Sequence, residues 1–132
     1  MYDRTYAITK RLPGVDQATA IARVRESLST EGFGVLTEID VQATLAKKLG
    51  VERRPYVILG ACNPALAHRA LEAEPSIGVF LPCNVDVFEG ADGTTVVQAV
   101  DPRAMFRLVE NPGVEPIAAE VAERLRRVLE RV

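Results

Sequence analysis

Two segments carry side chains able to do chemistry that simple packing does not call for. The first is Ile58-Leu59-Gly60-Ala61-Cys62-Asn63-Pro64. Tyr56-Val57-Ile58-Leu59 is apolar at alternate and intervening positions alike, which reads as a central buried strand. It leads directly into a helix that Asn63 caps and Pro64 begins. Cys62 falls just before the cap. A helix start carries partial positive charge, which favours a thiolate beside it and offers free amides to an anionic group. Cysteine is also among the most often buried residue types, so Cys62 equally reads as a small side chain closing a strand–helix corner. The second segment is Leu81-Pro82-Cys83-Asn84. By parity Cys83 points with Leu81 and Val85 into the core, unless a kink at Pro82 turns it toward a pocket.

The other reactive side chains are few. His68 is the single histidine. Its helical position places it with Arg69 and Glu72 on an outer face, and the sharper alternative makes it a base or ligand beside the Cys62 corner. One histidine excludes a site of several imidazoles within one chain. There is no glycine-rich phosphate loop, no Cys-x-x-Cys and no paired-histidine helix. Gly32-Phe33-Gly34, Lys48 and Asp101-Pro102 read as punctuation of elements.

Composition narrows the function classes. In 132 residues there are 16 Lys+Arg and 18 Asp+Glu, a formal charge of −2 at pH 7. That balance argues against a broad basic nucleic-acid surface and against a polybasic membrane patch. At 48% hydrophobic and 26% charged residues the chain has globular composition, and its length suits a single domain over residues 1–132. No basic stretch followed by an apolar core opens the sequence, and no apolar run approaches the roughly 20 residues that span a bilayer. The expected location is the cytoplasm, with both thiols reduced unless they form a redox pair.

The elements that must position these residues follow from periodicity. A first strand is expected at 5–11, with Tyr6 and Ile8 on one face, then a helix at 15–31 stopped by Gly32. Residues 33–39 alternate as a strand with Phe33, Val35 and Ile39 on one side. Asp40 caps a short helix with Val41, Leu45 and Leu49 at its inner stripe, closed by Gly50. The third helix turns Leu66, Ala70 and Leu71 inward and ends at Pro75. Every odd residue from Val79 to Val87 is apolar, a long strand pattern that Pro82 assigns to an edge or to a kink. A hairpin loop at Gly90-Ala91-Asp92-Gly93 leads into a strand at 94–100, and a short helix follows at 103–109. The last helix starts at Pro116, buries Ile117, Val121, Leu125, Val128 and Val132, and presents Glu120–Arg124 and Glu123–Arg127 pairs on a solvated face.

Gly32-Phe33, Glu38-Ile39-Asp40-Val41, Leu59-Gly60-Ala61-Cys62-Asn63-Pro64, Leu81-Pro82-Cys83-Asn84-Val85 and Asp101-Pro102, in this order, resemble a bacterial and archaeal family known as the domain of unknown function 302, through about residues 5–130. The resemblance implies an α+β fold similar to one half of the TATA-box-binding protein: an antiparallel sheet with helices on one face, in the order β-α-β4-α with inserted short helices. It also implies a homodimer, and it implies no particular activity. Shared folds host unrelated functions, so DNA binding does not follow.

Three readings of function stand at this point. In the first, the protein is a homodimeric binding module in which a second copy covers the open sheet face. A pocket at Cys62, Asn63, Pro64, His68, Pro82, Cys83 and Asn84 then holds a small molecule or a thiophilic metal. In the second, Cys62 is the nucleophile of a thiol enzyme or redox sensor, Cys83 its resolving thiol or second ligand, and His68 its base. In the third, the cysteines only pack and the chain is a structural or interaction subunit.

Overall fold

A computed structural model describes residues 2–132. The elements run β1 (Ala7–Leu12), α1 (Gln17–Thr30), β2 (Gly34–Asp40), α2 (Val41–Leu49), β3 (Tyr56–Cys62), α3 (Pro64–Ala73), β4 (Cys83–Glu89), β5 (Thr95–Val100), α4 (Pro102–Phe106) and α5 (Glu115–Arg131). Short 3-10 turns lie at Pro75–Phe80 and Arg107–Val109. With α2, α3 and α4 set aside, the order is β-α-β4-α. The five strands form one antiparallel sheet in the order β1-β5-β4-β3-β2.

Register assigns each strand residue to a face. Val57, Leu59 and Ala61 stand opposite Val87, Val85 and Cys83, and Val85 and Val87 stand opposite Ala99 and Val97. All eight are buried, against Ala20, Val24 and Leu28 of α1 and the Ile117, Val121, Leu125 and Val128 stripe of α5. Full burial of a leucine or valine contributes about 1.5–3 kcal/mol relative to exposure, so this layer holds sheet and helices together. The other face carries the row Thr9, Gln98, Asp86, Ile58, Ile39 across all five strands. Tyr2 lies over part of it: its carbonyl accepts from Thr9 Oγ1 (3.1 Å) and Gln98 Nε2 (2.7 Å), and its ring meets Phe88 edge-on.

Several sequence expectations are corrected. β2 changes face partway. Val35 pairs with Ala61 and Thr37 with Gly60, which leaves Leu36 as an extra, bulged residue. One inserted residue inverts the alternation, so Val35 packs on the core while Ile39, opposite Ile58, is 48% exposed. The apolar run ahead of β4 is not strand. Proline lacks the amide a ladder needs, β4 begins after Pro82, and Val79 sits exposed in a 3-10 turn. β4 is an interior strand, not an edge. Tyr6 lies before β1 and is exposed, α2 buries no residue, and Leu71 is exposed against the expectation for α3.

The outer face of α5 is also more than a solvated surface. Glu31, the C-cap of α1, is buried, and its carboxylate accepts from Arg127 (2.8 Å) and Arg131 (2.6 Å). Its carbonyl accepts from Arg124 Nη1 (2.9 Å) and from Asn63 Nδ2 (3.2 Å). Hydrogen bonds from Arg127 and then Arg131 hold the Glu31 carboxyl down to about 2. A depressed carboxyl stabilises the fold fully above its ordinary value near 4.5, and that contribution fades as pH falls from there toward 2. Glu31→Gln is therefore expected to lower stability by about 1–2 kcal/mol at pH 7. In urea unfolding across pH 7 to 2, the variant should lose less stability than the parent below pH 4.5. Parallel acid limbs would show that Glu31 does not supply it.

Candidate functional site

The two cysteines meet at one cavity of about 270 Å³. It lies at the end of the sheet where β3 leaves and β4 enters. Its floor is the strand pair Ala61 and Cys83 with Cys62, the last residue of β3. Leu66, Ala67 and Ala70 of α3 form one wall, and Ile117 and Val121 of α5 with Phe106 of α4 form another. Leu81 and Pro82 close the approach to β4, and Phe33 and Leu36 close the β2 side.

Local sequence explains this placement. Gly32 takes φ +82°, a left-handed conformation that suits glycine. There the Gly32 amide bonds to the Ser29 carbonyl (3.2 Å) and the Phe33 amide to the Leu28 carbonyl (3.0 Å), which ends α1 in a Schellman turn and drives Phe33 inward. A Cβ on Gly32 would stand 3.0 Å from Asn63 Nδ2, so glycine also permits the approach of Asn63. Asn63 is buried and serves two elements. Its Oδ1 caps α3 by accepting from the Leu66 amide (3.2 Å), and its Nδ2 reaches the Glu31 carbonyl. Gly60 is as constrained: a Cβ there would collide with Thr37 Oγ1 and lie 2.9 Å from Pro82 Cγ. The Leu81–Pro82 peptide is cis.

The two thiols differ in setting. Cys62 is half-buried and Cys83 buried, and both are free. Burial first, and Cys62 second, pushes the Cys83 thiol up to about 11, so it is protonated at neutral pH. Register pairs Cys83 with Ala61, so Cys62 is one position removed from direct cross-strand opposition. The cavity wall offers no acid or base besides these thiols, and both polar atoms of Asn63, the one amide on it, are already bonded.

The remaining candidate residues sit elsewhere. Pro64 occupies the first turn of α3 and is exposed; His68 is exposed on the same helix; neither lines the cavity. Asn84 is exposed on the opposite face of β4 beside Val100. Among the described residues, no three His, Cys, Asp or Glu side chains gather as a metal site would require.

Sequence reasoning missed Leu36, Phe106 and the α5 wall, because each reaches the cavity through tertiary contact. The bulge at Leu36 has no signature in composition. It also missed a polar pair on the open sheet face. Tyr56 Oη donates to Asp86 Oδ2 (2.9 Å); burial, and then Asp86, raises Tyr56 to about 12, and burial raises Asp86.

An antiparallel α+β sheet with helices on one face and an apolar, thiol-bearing cavity at the end of its interior strands defines the class of protein. Comparison gives the family. The family described as Domain of unknown function DUF302 matches residues 8–132, and the chain belongs to it. The crystal structure of an uncharacterized conserved DUF302 protein from Bacillus stearothermophilus superposes with a TM-score of 0.90 at 34% identity, covering 97% of this chain and 98% of that one. None of the curated proteins compared matches the chain.

In native protein at pH 7, a maleimide should label one thiol per chain, Cys62, and should reach Cys83 only on unfolding. Fast labelling of both, or native labelling that survives Cys62→Ser, would contradict the stated burial. Gly60→Ala should destabilise by about 1–3 kcal/mol, the usual result of overpacking. Thr37→Ala in the same chain should recover part of the loss in thermal melts; no recovery would place the strain elsewhere.

Proposed function

We propose that the protein is a homodimeric binding module whose cavity takes a small ligand beside Cys62 and Cys83. The observation that carries this reading is the cavity itself: about 270 Å³ with apolar walls and two reduced thiols, inside a chain of 132 residues. Concave, largely apolar, preformed sites are where small ligands bind. Pro82, Cys83, Cys62 and Asn63 line it, whereas Pro64, His68 and Asn84 lie outside it. A thiophilic metal held within one copy would have only the two thiols as soft ligands, so the organic ligand has the better support. The thiol-enzyme reading has less support, since a base must lie within hydrogen-bond reach and His68 is exposed outside the cavity.

A second copy covering the open sheet face belongs to the same proposal. Ile58 and the exposed Ile39 stand opposite one another there, while the helices cover the other face. A two-fold pairing would remove this face from water in both copies at once. The likeness to one half of the TATA-box-binding protein rests on the element order and is a reading of fold alone. The charge of −2 gives no support to DNA binding. A cytoplasmic location agrees with the free thiols.

Titration of 15N-labelled protein with p-xylene tests the cavity. Amide shifts should concentrate at Ala61, Leu66 and Val121 and vanish in Ala70→Leu, which fills the space. Shifts scattered over the surface would end this reading. Sedimentation equilibrium at micromolar concentration should give two chains per particle, and Ile58→Lys should give one chain with unchanged circular dichroism. A monomeric parent would refute the homodimer.

A further inference from the structure

Three features of the cavity narrow what it holds, given the reading that it is a ligand site. The first is polarity. Its walls are aliphatic and aromatic apart from two thiols and Asn63, and Asn63 spends its amide donor on the Glu31 carbonyl and its oxygen on the Leu66 amide. A ligand atom needing a hydrogen bond would leave water and find few partners, only weak thiols and an amide already engaged at both ends, a loss that disfavours polar ligands. Cys83, on the sheet side of the cavity, is itself buried. The second is volume. A cavity of about 150 Å³ lined by similar residues accepts benzene, so 270 Å³ corresponds to roughly eleven carbon atoms.

The third feature is Leu36. It is a cavity-lining residue, yet it is 67% exposed. It is also the extra residue of the β2 bulge, left out of the pairing with β3 between Val35 and Thr37. Bulges re-aim side chains beside binding sites. Here the bulge holds a large apolar side chain between solvent and an apolar interior, on an edge strand. A regular strand would have kept Leu36 in the face alternation and away from this position.

We propose that the cavity takes the hydrocarbon part of an amphiphile, an alkyl chain of about ten carbons whose polar group stays outside at the β2 edge, and that Leu36 gates its entry. The interior disfavours the head group because its walls are almost wholly apolar and cannot replace the hydrogen bonds that water gives. The mouth tolerates the head group because water remains there. Leu36 is the side chain that must move for a chain to pass. Chain length is then read by the depth of the cavity, and exchange rate by the Leu36 side chain.

The experiment is a titration of the full chain, followed by 15N amide shifts and line shapes, with unbranched alkan-1-ols from butanol to decanol and the matching α,ω-diols. Affinity for the alcohols should rise about fourfold per methylene until the cavity is full. Diols should bind at least tenfold more weakly than alcohols of the same length, since one hydroxyl must be buried. Leu36→Ala should speed ligand exchange several-fold while the alcohols keep their length dependence. Ala67→Leu, at a half-buried wall position, should shorten the longest chain that still gains affinity; Ala70→Leu does the same from a buried position. Equal affinity for alcohols and diols, affinity independent of length, or unchanged exchange in Leu36→Ala would each overturn the proposal. If p-xylene shifts the cavity residues while no alcohol binds, the amphiphile inference falls and the ligand cavity stands. If neither binds, both fall.

Discussion

The arrangement depends on how α1 ends. Glu31 and Gly32 make one corner on which three elements converge. The left-handed glycine turns the chain so that Phe33 enters the core. The Glu31 carbonyl receives the cap residue of α3 and an arginine of α5, and the Glu31 carboxylate receives two more arginines of α5. A buried carboxylate without such donors would be costly, and the flanking arginines remain partly in water, so the cluster keeps its charge without full desolvation. Through Asn63 the same corner sets where α3 begins, and α3 supplies one wall of the cavity.

The cavity is the space left by that arrangement. The helices leave a gap over the point where β3 leaves and β4 enters, with Ala61, Cys62 and Cys83 on the sheet side and Leu66, Ala70, Ile117 and Val121 on the helix side. Two thiols therefore share one hollow in different conditions: Cys62 at a strand end in partial contact with solvent, Cys83 beneath the packed layer. Their chemistry follows from burial more than from residue type. The proposed ligand follows from the same logic, since an almost wholly apolar wall selects for hydrocarbon.

Much of the scaffold was legible in the residues. Asp40 and Asn63 cap the helices they were expected to cap, and Gly32 and Gly50 close theirs, because capping depends on neighbours within three or four positions. Asp101, expected only to end a strand, also caps α4. The α5 stripe is buried as its spacing predicts. Errors fall where distant chain intervenes. The bulge inverts half of β2, and the odd-position run before Pro82 becomes a 3-10 turn. The Glu120–Arg124 and Glu123–Arg127 pairs form as their spacing predicts, but the α5 arginines also reach Glu31, about a hundred residues away in sequence.

The sequence by itself determined most of the local units: where the long helices run, where caps and glycines stop them, the stripe that α5 buries, and which two cysteines stand at element ends. These depend on backbone sterics and short-range hydrogen bonds, which the neighbouring residues carry with them. Only the tertiary structure decided that the two cysteine segments border one cavity and that His68 faces water. It also decided that an unremarkable leucine at position 36 lines that cavity while staying exposed. Those outcomes depend on strand register and helix packing across the whole sheet, where a single inserted residue exchanges inside for outside.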